Sequence, residues 1–297
     1  MRIFITGGTG FIGHYVALNL LNRGHELHIA TRHPNKIPSL AQNPNVKMFE
    51  GSLTDTEVLK QGVEGCDACI HIALGWGETP VTMLENDTKA TVTLLELAAN
   101  AGCQKFIYTS STAAMGKMRP TMYETSSCLP IDLYGATKAA GEAFVLGYRK
   151  SGMKRNIIRP GYTFGNPACS DGCTQPDKRF KEIALAAKEG RDINLIKNDG
   201  TQFIHASQQA ETFARVLESD FDEEVFLSLG TNWISWKSIA ERAIAMIPGS
   251  TSKIIEKDLL WGDEPMKFSL RKINEMLGLE FDADPFIADH LKYYMGV

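Results

Sequence analysis

Two periodicities alternate along the first half of the chain. Short runs rich in β-branched and aromatic residues read as strands: Arg2–Thr6, Glu26–Thr31, the weaker Val46–Glu50, Ala68–Ala73, Lys105–Ser110 and Arg155–Arg159. Between them lie stretches whose apolar residues recur at helical spacing: Phe11–Arg23 (with Val16 and Leu20), Thr54–Val63, Met83–Ala101 and Tyr134–Lys150. Gly24 and Gly102 close two of these helices, and Pro160 stops the last strand. Strands separated by helices of this length predict βαβ units, hence a parallel sheet with both faces covered. The apolar run Ala68–Ala73 suits a strand buried on both sides. After Pro160 the rhythm breaks. Gly161–Asp177 is rich in Gly, Pro, Asn and Ser and reads as a loop. Helices are predicted over Arg179–Glu189, Gln208–Glu218, Trp236–Met246 and Lys272–Leu277, with one apolar strand at Val225–Leu229.

Length and charge narrow the picture. A chain of 297 residues has room for about two domains. The net charge of −4 argues against a general nucleic-acid binder, which would carry a basic excess. No apolar run approaches the roughly 18 residues of a membrane span, and no apolar signal segment precedes the first strand. The expectation is a cytoplasmic protein that starts at Met1 and has no membrane or nucleic-acid partner. Six cysteines are too few for a disulfide scaffold. The close pairs Cys66/Cys69 and Cys169/Cys173 lack a second pair at ligand spacing, so no metal is expected and the thiols read as small buried hydrophobes. The acidic run Asp220–Glu224 reads as a solvated turn.

Candidate chemistry begins at Gly7-Gly8-Thr9-Gly10-Phe11-Ile12-Gly13, between the first strand and the first helix. A tight turn there needs positive φ, and a side-chain-free backbone lets a pyrophosphate approach the N–H groups of the helix start. Gly8-x-Gly10-x-x-Gly13 satisfies the dinucleotide fingerprint, and the wider spacing Gly7, Gly10, Gly13 fits as well. In that fingerprint an acid follows about 20 residues on, at the end of the second strand, and binds the ribose. Here Ala30-Thr31-Arg32-His33 stands there, with Lys36 nearby. An arginine in place of the acid can grip a 2′-phosphate, so NADP is favoured over NAD. The predicted fold is therefore α/β: a Rossmann-type doubly wound parallel sheet with a smaller C-terminal α-rich region. Residues 1–165 plus 200–232 form the dinucleotide-binding part, and 166–199 plus 233–297 the smaller region.

A second constellation is Tyr134-Gly135-Ala136-Thr137-Lys138, at the start of a predicted helix. Spacing i, i+4 puts the phenol and the ammonium on one helix face. A neighbouring ammonium favours the phenolate and is expected to lower the Tyr134 pKa, so that the phenol can exchange a proton with an alcohol while hydride moves. The hydroxyl cluster Thr109-Ser110-Ser111-Thr112 lies at the end of another strand, where open α/β sheets bind ligands.

With these pieces in place the chain resembles the extended short-chain dehydrogenase/reductase family, also called the NAD-dependent epimerase/dehydratase family. The resemblance runs from Met1 to about Gly278. It is carried by Gly7–Gly13, Glu50-Gly51-Ser52-Leu53, Asp67–Ala73, Leu94-Leu95-Glu96, Phe106–Gly116, Tyr134–Lys138 with Gly141-Glu142, Arg159-Pro160-Gly161 and Phe203-Ile204-His205. It implies Ser111 as the catalytic hydroxyl, Tyr134 as the base and Lys138 as its lysine. Together the residues and the resemblance place the cofactor against Gly7, Gly10, Phe11, Ile12, Gly13, Thr31, Arg32, Ser52, Leu53, Ala73, Tyr134, Lys138 and Pro160. The resemblance also implies that the smaller C-terminal α-rich region, 166–199 plus 233–297, is a substrate domain, and that the chain forms a homodimer through helices 83–101 and 134–150.

The departures from the family pattern matter. Ser52 stands where many members carry an adenine-contacting Asp, and Asp87 replaces a frequent Asn. Thr112 follows Ser111 where dehydratases and decarboxylases tend to carry an acid. Thr201-Gln202 and Leu259-Leu260-Trp261 stand where nucleotide-sugar epimerases usually carry the two arginines that hold a substrate diphosphate. Lys178, Arg179 or Lys253 are the available substitutes. Trp76, Met115, Tyr162, Phe164 and Trp261 are candidates to line an apolar pocket. The expected activity is an NAD(P)-dependent oxidoreductase acting on a small molecule at a secondary alcohol or ketone carbon. The alternatives are a nucleotide-sugar epimerase that recycles tightly bound NAD and a non-catalytic NADP-binding redox sensor.

Overall fold

In the computed structural model, residues 1–116, 119–149, 152–259 and 265–297 are described. Seven strands form one sheet: β1 (Arg2–Thr6), β2 (Glu26–Thr31), β3 (Val46–Glu50), β4 (Ala68–His71), β5 (Lys105–Thr109), β6 (Lys154–Pro160) and β7 (Val225–Ser228). Their spatial order is β3-β2-β1-β4-β5-β6-β7, and every pairing is parallel. The order reverses direction between β1 and β4. That switch point opens a crevice beyond the carboxyl ends of the strands, and it is where both candidate constellations are delivered.

Besides the single turn Pro38–Ala41, the α-helices are α1 (Phe11–Asn22), α2 (Thr56–Val63), α3 (Pro80–Met83, Leu84–Lys89 and Ala90–Asn100 in succession), α4 (Leu133–Gly147), α5 (Arg179–Glu189), α6 (Ala206–Glu218), α7 (Trp236–Ala245), α8 (Arg271–Leu277) and α9 (Asp284–Met295). Side-chain alternation along β1 divides the core between two faces. Ile3 and Ile5 pack with Val16 and Leu20 of α1 and Phe213 and Leu217 of α6. Phe4 points the other way, to Leu59 of α2, Leu94 and Leu95 of α3, and Val145 of α4. A separate aromatic core forms where α5, α7 and α9 meet, around Phe164, Phe180, Phe203 and Trp236. The short helix α8 packs into the sheet's own core through Ile273 and Leu277.

Three features depart from the periodic reading. The helix predicted from Met83 starts at Pro80, capped by a reciprocal Thr79–Thr82 capping box, and its middle turn Leu84–Lys89 is π-helical. Helix α9 has no counterpart among the predicted elements: Pro285 looks like a breaker but is tolerated in a first helical turn, where its missing N–H has no partner to lose. The C-terminal region is also not purely helical, since Ile193–Ile196 pairs in parallel with Ile254–Lys257. Such a pair joins segments distant in sequence, so no local pattern announces it. The predicted end of helix 134–150 at Lys150, and Leu260, Trp261, Gly262 and Asp263, lie outside the described residues.

Candidate active site

The first constellation is built by the turn from β1 to α1. Gly7 has φ +76°, and a Cβ there would lie 2.7 Å from the Ala73 nitrogen beyond β4. Only glycine meets both demands. Gly13 is held against the same turn: a Cβ on it would approach the Gly7 carbonyl oxygen to 2.0 Å. Gly10 differs. It caps α1 with an ordinary φ of −84°, no side chain caps the helix, and its first turn has no acidic residue. A Cβ on Gly10 would meet only the Gly7 oxygen, at 3.2 Å. The backbone N–H groups of the first turn are thus left for an anion.

A cleft of about 640 Å³ opens in front of this turn. Ten of the thirteen expected cofactor residues line it: Gly7, Gly10, Phe11, Ile12, Gly13, Thr31, Arg32, Ser52, Leu53 and Ala73. Thr9, Lys36, Trp76 and Asn86 line it as well, and none of its described lining residues is acidic. Thr9 and Thr31 tie the loop to β2 by a hydroxyl contact of 3.0 Å. The Lys36 ammonium reaches the Thr9 carbonyl at 3.4 Å, and Arg32 is exposed, with no ion pair among the described residues. Ser52 hydrogen-bonds Thr54 (2.8 Å) and so offers a hydroxyl, not a charge, at this end.

The second constellation sits beside this cleft, at the end of β5 and the start of α4. Asp132 caps α4 by accepting the Gly135 N–H (2.6 Å), which sets the orientation of Tyr134 in the first turn. Ser111 caps the 3₁₀ turn Thr112–Met115 by accepting the Ala113 N–H (3.1 Å). Burial is the main push on the Tyr134 phenol above its ordinary value; the nearby Ser111 hydroxyl opposes it, and Asp87 and Asp132 add to it. The expectation that Lys138 lowers the Tyr134 pKa is therefore corrected. The Lys138 ammonium lies 5.9 Å from the Tyr134 ring centre, but only 3.8 Å from the Asp87 carboxylate, which counters its charge. Lys138 is 3% exposed and Asp87 not at all. Pro160 ends β6 opposite Ser228 and does not line the cleft.

Beneath Ser111 and Tyr134 lies a buried network that joins three elements. Arg159 at the end of β6 donates two hydrogen bonds to Glu142 of α4 (2.8 and 2.7 Å), and Ser110 at the end of β5 also donates to Glu142. Arg159 donates further to the Glu124 carbonyl (2.9 Å). Breaking such a buried pair from one side typically costs about 3–5 kcal/mol, so the network holds Ser111 and α4 in register. The Arg159-Pro160 and Gly141-Glu142 matches mark these positions separately, but nothing local says that they meet.

Several candidates for the substrate side fall elsewhere. Tyr162 and Phe164 are members of the aromatic core, with ring centres 5.0 and 6.3 Å from Phe203, and do not line a pocket mouth. Met115 is buried, whereas Trp76 is 63% exposed on the cleft rim. Gln202, at the place of an epimerase arginine, is consumed by structure. Its amide donates to the Gly230 and Phe268 carbonyls (3.2 Å each) and accepts the Phe268 N–H (2.6 Å). Arg179 is pinned by Asp177 (3.0 Å) and by stacking over Trp236 and Tyr162 (4.4 and 5.0 Å to the ring centres). The cysteine reading holds for Cys66 and Cys69, which are buried. It fails for Cys169, a half-buried thiol 2.5 Å from the Asp171 carboxylate and 3.4 Å from His14 Nε2. Among the described residues no three His, Cys, Asp or Glu side chains converge as a metal site would require, and no helix is long and apolar enough to cross a membrane.

Comparison with known proteins bears on this geometry. The pattern that defines the NAD dependent epimerase/dehydratase family matches residues 3–227. The chain is 33% identical over 181 residues to a 3 beta-hydroxysteroid dehydrogenase/Delta 5-->4-isomerase of Mycobacterium tuberculosis, a match covering 56% of this chain and 48% of that protein. It thus spans about half the length of that relative. It is 28% identical over 277 residues to a UDP-N-acetyl-alpha-D-glucosaminuronate decarboxylase of Bacillus cytotoxicus, covering 86% of this chain and 82% of the other. Among solved structures, UDP-glucuronic acid 4-epimerase from Bacillus cereus in complex with NAD superposes with a TM-score of 0.82 at 20% identity, over 99% of this chain and 100% of that one. That likeness is one of fold.

Proposed function

The chain belongs to the NAD-dependent epimerase/dehydratase family, and from that premise we propose that it is a nicotinamide-dependent oxidoreductase acting at a secondary alcohol or ketone carbon. The observation that carries this reading is the placement of Ser111 just beyond β5 and of Tyr134 with buried Lys138 on the first turns of α4, beside a glycine-lined cleft at the sheet's switch point. The cleft fits a dinucleotide. Its helix start lacks a side-chain cap, and Gly10 leaves an approach that a side chain would fill. When bound, the nicotinamide supplies or accepts a hydride. The chain's own residues do the rest. The first turn of α1 holds the pyrophosphate, Ser111 orients the substrate oxygen, and Tyr134 moves the proton at its phenol oxygen. Lys138 holds the ribose.

Arg32 and Lys36 on an acid-free cleft wall support NADP as the preferred cofactor. The spent Gln202 and the pinned Arg179 support a substrate without a diphosphate, because a diphosphate beside a buried centre needs fixed cations. Val81 and Leu84 on α3 and Phe144 on α4, each more than half exposed, support a homodimer across these helices. The test is a screen of ketones, aldehydes and nucleotide sugars followed by nicotinamide absorbance, then Tyr134→Phe on the best substrate. Turnover falls at least about 10²-fold with cofactor affinity retained. Retained turnover moves the proton transfer elsewhere. A titration of UDP against the NADP-saturated protein gives weak binding, in the high micromolar range or worse; micromolar affinity would put the nucleotide-sugar epimerase reading first.

A further inference from the structure

We propose that Asp87 is the buried counter-ion of Lys138, and that this pair, neutral as a unit, sets which oxidation state of the nicotinamide cofactor the site holds more tightly. The inference rests on the cofactor reading above. Asp87 is fully buried in the π-helical turn of α3. One carboxylate oxygen accepts the Gly75 N–H (2.9 Å), and Gly75 is part of the cleft wall. The other oxygen has no hydrogen-bond donor and faces the Lys138 ammonium at 3.8 Å. Asn86, the preceding residue of the turn, lines the cleft and donates to the Trp76 carbonyl (2.8 Å), so the turn is held against that wall.

Of the remaining titratable groups around the pair, only the solvent-exposed Asp132 carries a charge that no cation compensates. His71 of β4 is held neutral by burial, with its pKa pushed down to about 3 and its ring bonded to Thr6 and Thr91 (2.6 and 2.9 Å). Tyr108 of β5 and Tyr134 of α4 are both pushed up by burial and stay protonated. Glu142 of α4 is cancelled by Arg159. Asp132, at the exposed N-cap of α4, is turned to the Gly135 N–H. Asp87 and Lys138 therefore decide the local charge. An oxidised nicotinamide ring carries a positive charge and a reduced one does not. With Asp87 in place the ammonium is compensated and the oxidised ring enters without repulsion. Without that carboxylate the ammonium stands alone in a site of low dielectric, where one unit charge acts over several ångströms.

The experiment measures dissociation constants for NADP⁺ and NADPH by titration, at about pH 6 and pH 8. It uses the full chain, Asp87→Asn, Lys138→Met and the double variant. Asn keeps an acceptor for the Gly75 N–H, and melting curves verify folding. Removing the ribose hydrogen bond of Lys138 weakens both forms alike and cancels in the ratio. The oxidised-to-reduced ratio of dissociation constants rises about tenfold or more in Asp87→Asn and falls by a similar factor in Lys138→Met. It returns to within about threefold of the parent in the double variant. Should Lys138→Met not fold, the first variant and the double variant carry the comparison. A ratio unmoved at both pH values in Asp87→Asn, or one that the double variant fails to restore, overturns the proposal. A parent chain that binds neither form overturns the cofactor reading itself, and this one with it.

Discussion

Lowering the pH from 7.5 to 5.5 tests how the interior treats its histidines. Of the four buried imidazoles, three are pushed far down: His71 and His290 to about 3, and His205 to about 4. Desolvation is the first cause for each. His290 is also wedged between Asn166 and Gln175 (2.7 Å each), and His205 is stacked on Phe286 (4.1 Å between ring centres). In the unfolded chain each ring titrates near 6.5. As the pH falls through that value the unfolded chain takes up protons that the folded chain refuses, so stability drops, and the loss levels off only below the folded values. Over this window each ring goes from about one-tenth to about nine-tenths protonated when unfolded, which is worth about 1.4 kcal/mol per histidine and about 4 kcal/mol for the three. Carboxylates stay ionised in both states over this range and add little. Two assays read the effect. Urea denaturation at the two pH values shows the stability loss. Unfolding by concentrated denaturant at pH 5.5 in unbuffered solution takes up about 2.7 protons or more, with His14, His25 and His28, also shifted down by burial, adding to the count. Uptake below about one proton, with a stability change under about 1 kcal/mol, would refute the reasoning.

The glycine turn separates binding from folding. Gly10→Val retains the parent's melting curve and loses cofactor affinity by roughly tenfold or more, the worth of a charge-assisted hydrogen bond. Gly13→Val instead drives a side chain into the Gly7 carbonyl and costs about 3 kcal/mol or more of stability; equal melting temperatures for the two variants would contradict this geometry. Arg32→Ala weakens NADP by about 1.5–3 kcal/mol and leaves NAD nearly unchanged in calorimetry, and equal losses for both would remove the 2′-phosphate contact. Phe144→Glu, on an exposed helix face, tests the proposed homodimer: sedimentation shows a dimer for the parent and a monomer for the variant without loss of fold, and a monomeric parent or an unchanged variant would remove that proposal.

Local sterics and periodicity determine much of this protein from the sequence alone. The alternation of Ile3, Phe4 and Ile5 assigns β1 a residue to each face of the sheet, and the spacing of Val16 and Leu20 assigns α1 its buried stripe. The positive φ at Gly7 follows from a turn that must reverse within a few residues. The i, i+4 spacing of Tyr134 and Lys138 places both on one helix face before any partner is known. Pairings across the fold could not be read in that way. Asp87 meets Lys138 only because a π-helical turn of α3 packs against α4; burial of Tyr134, with Asp87 adding to it, then raises the phenol where the local spacing predicts a lowering. Gln202, Arg179, Tyr162 and Phe164 are polar or aromatic residues near strand ends, which suits a binding site as well as a core. Their partners, Phe268, Trp236, Phe180 and Phe203, decide that they are structural. The difference is physical: backbone conformation and side-chain facing depend on near neighbours, whereas burial, desolvation and charge compensation depend on which distant segments the fold packs together.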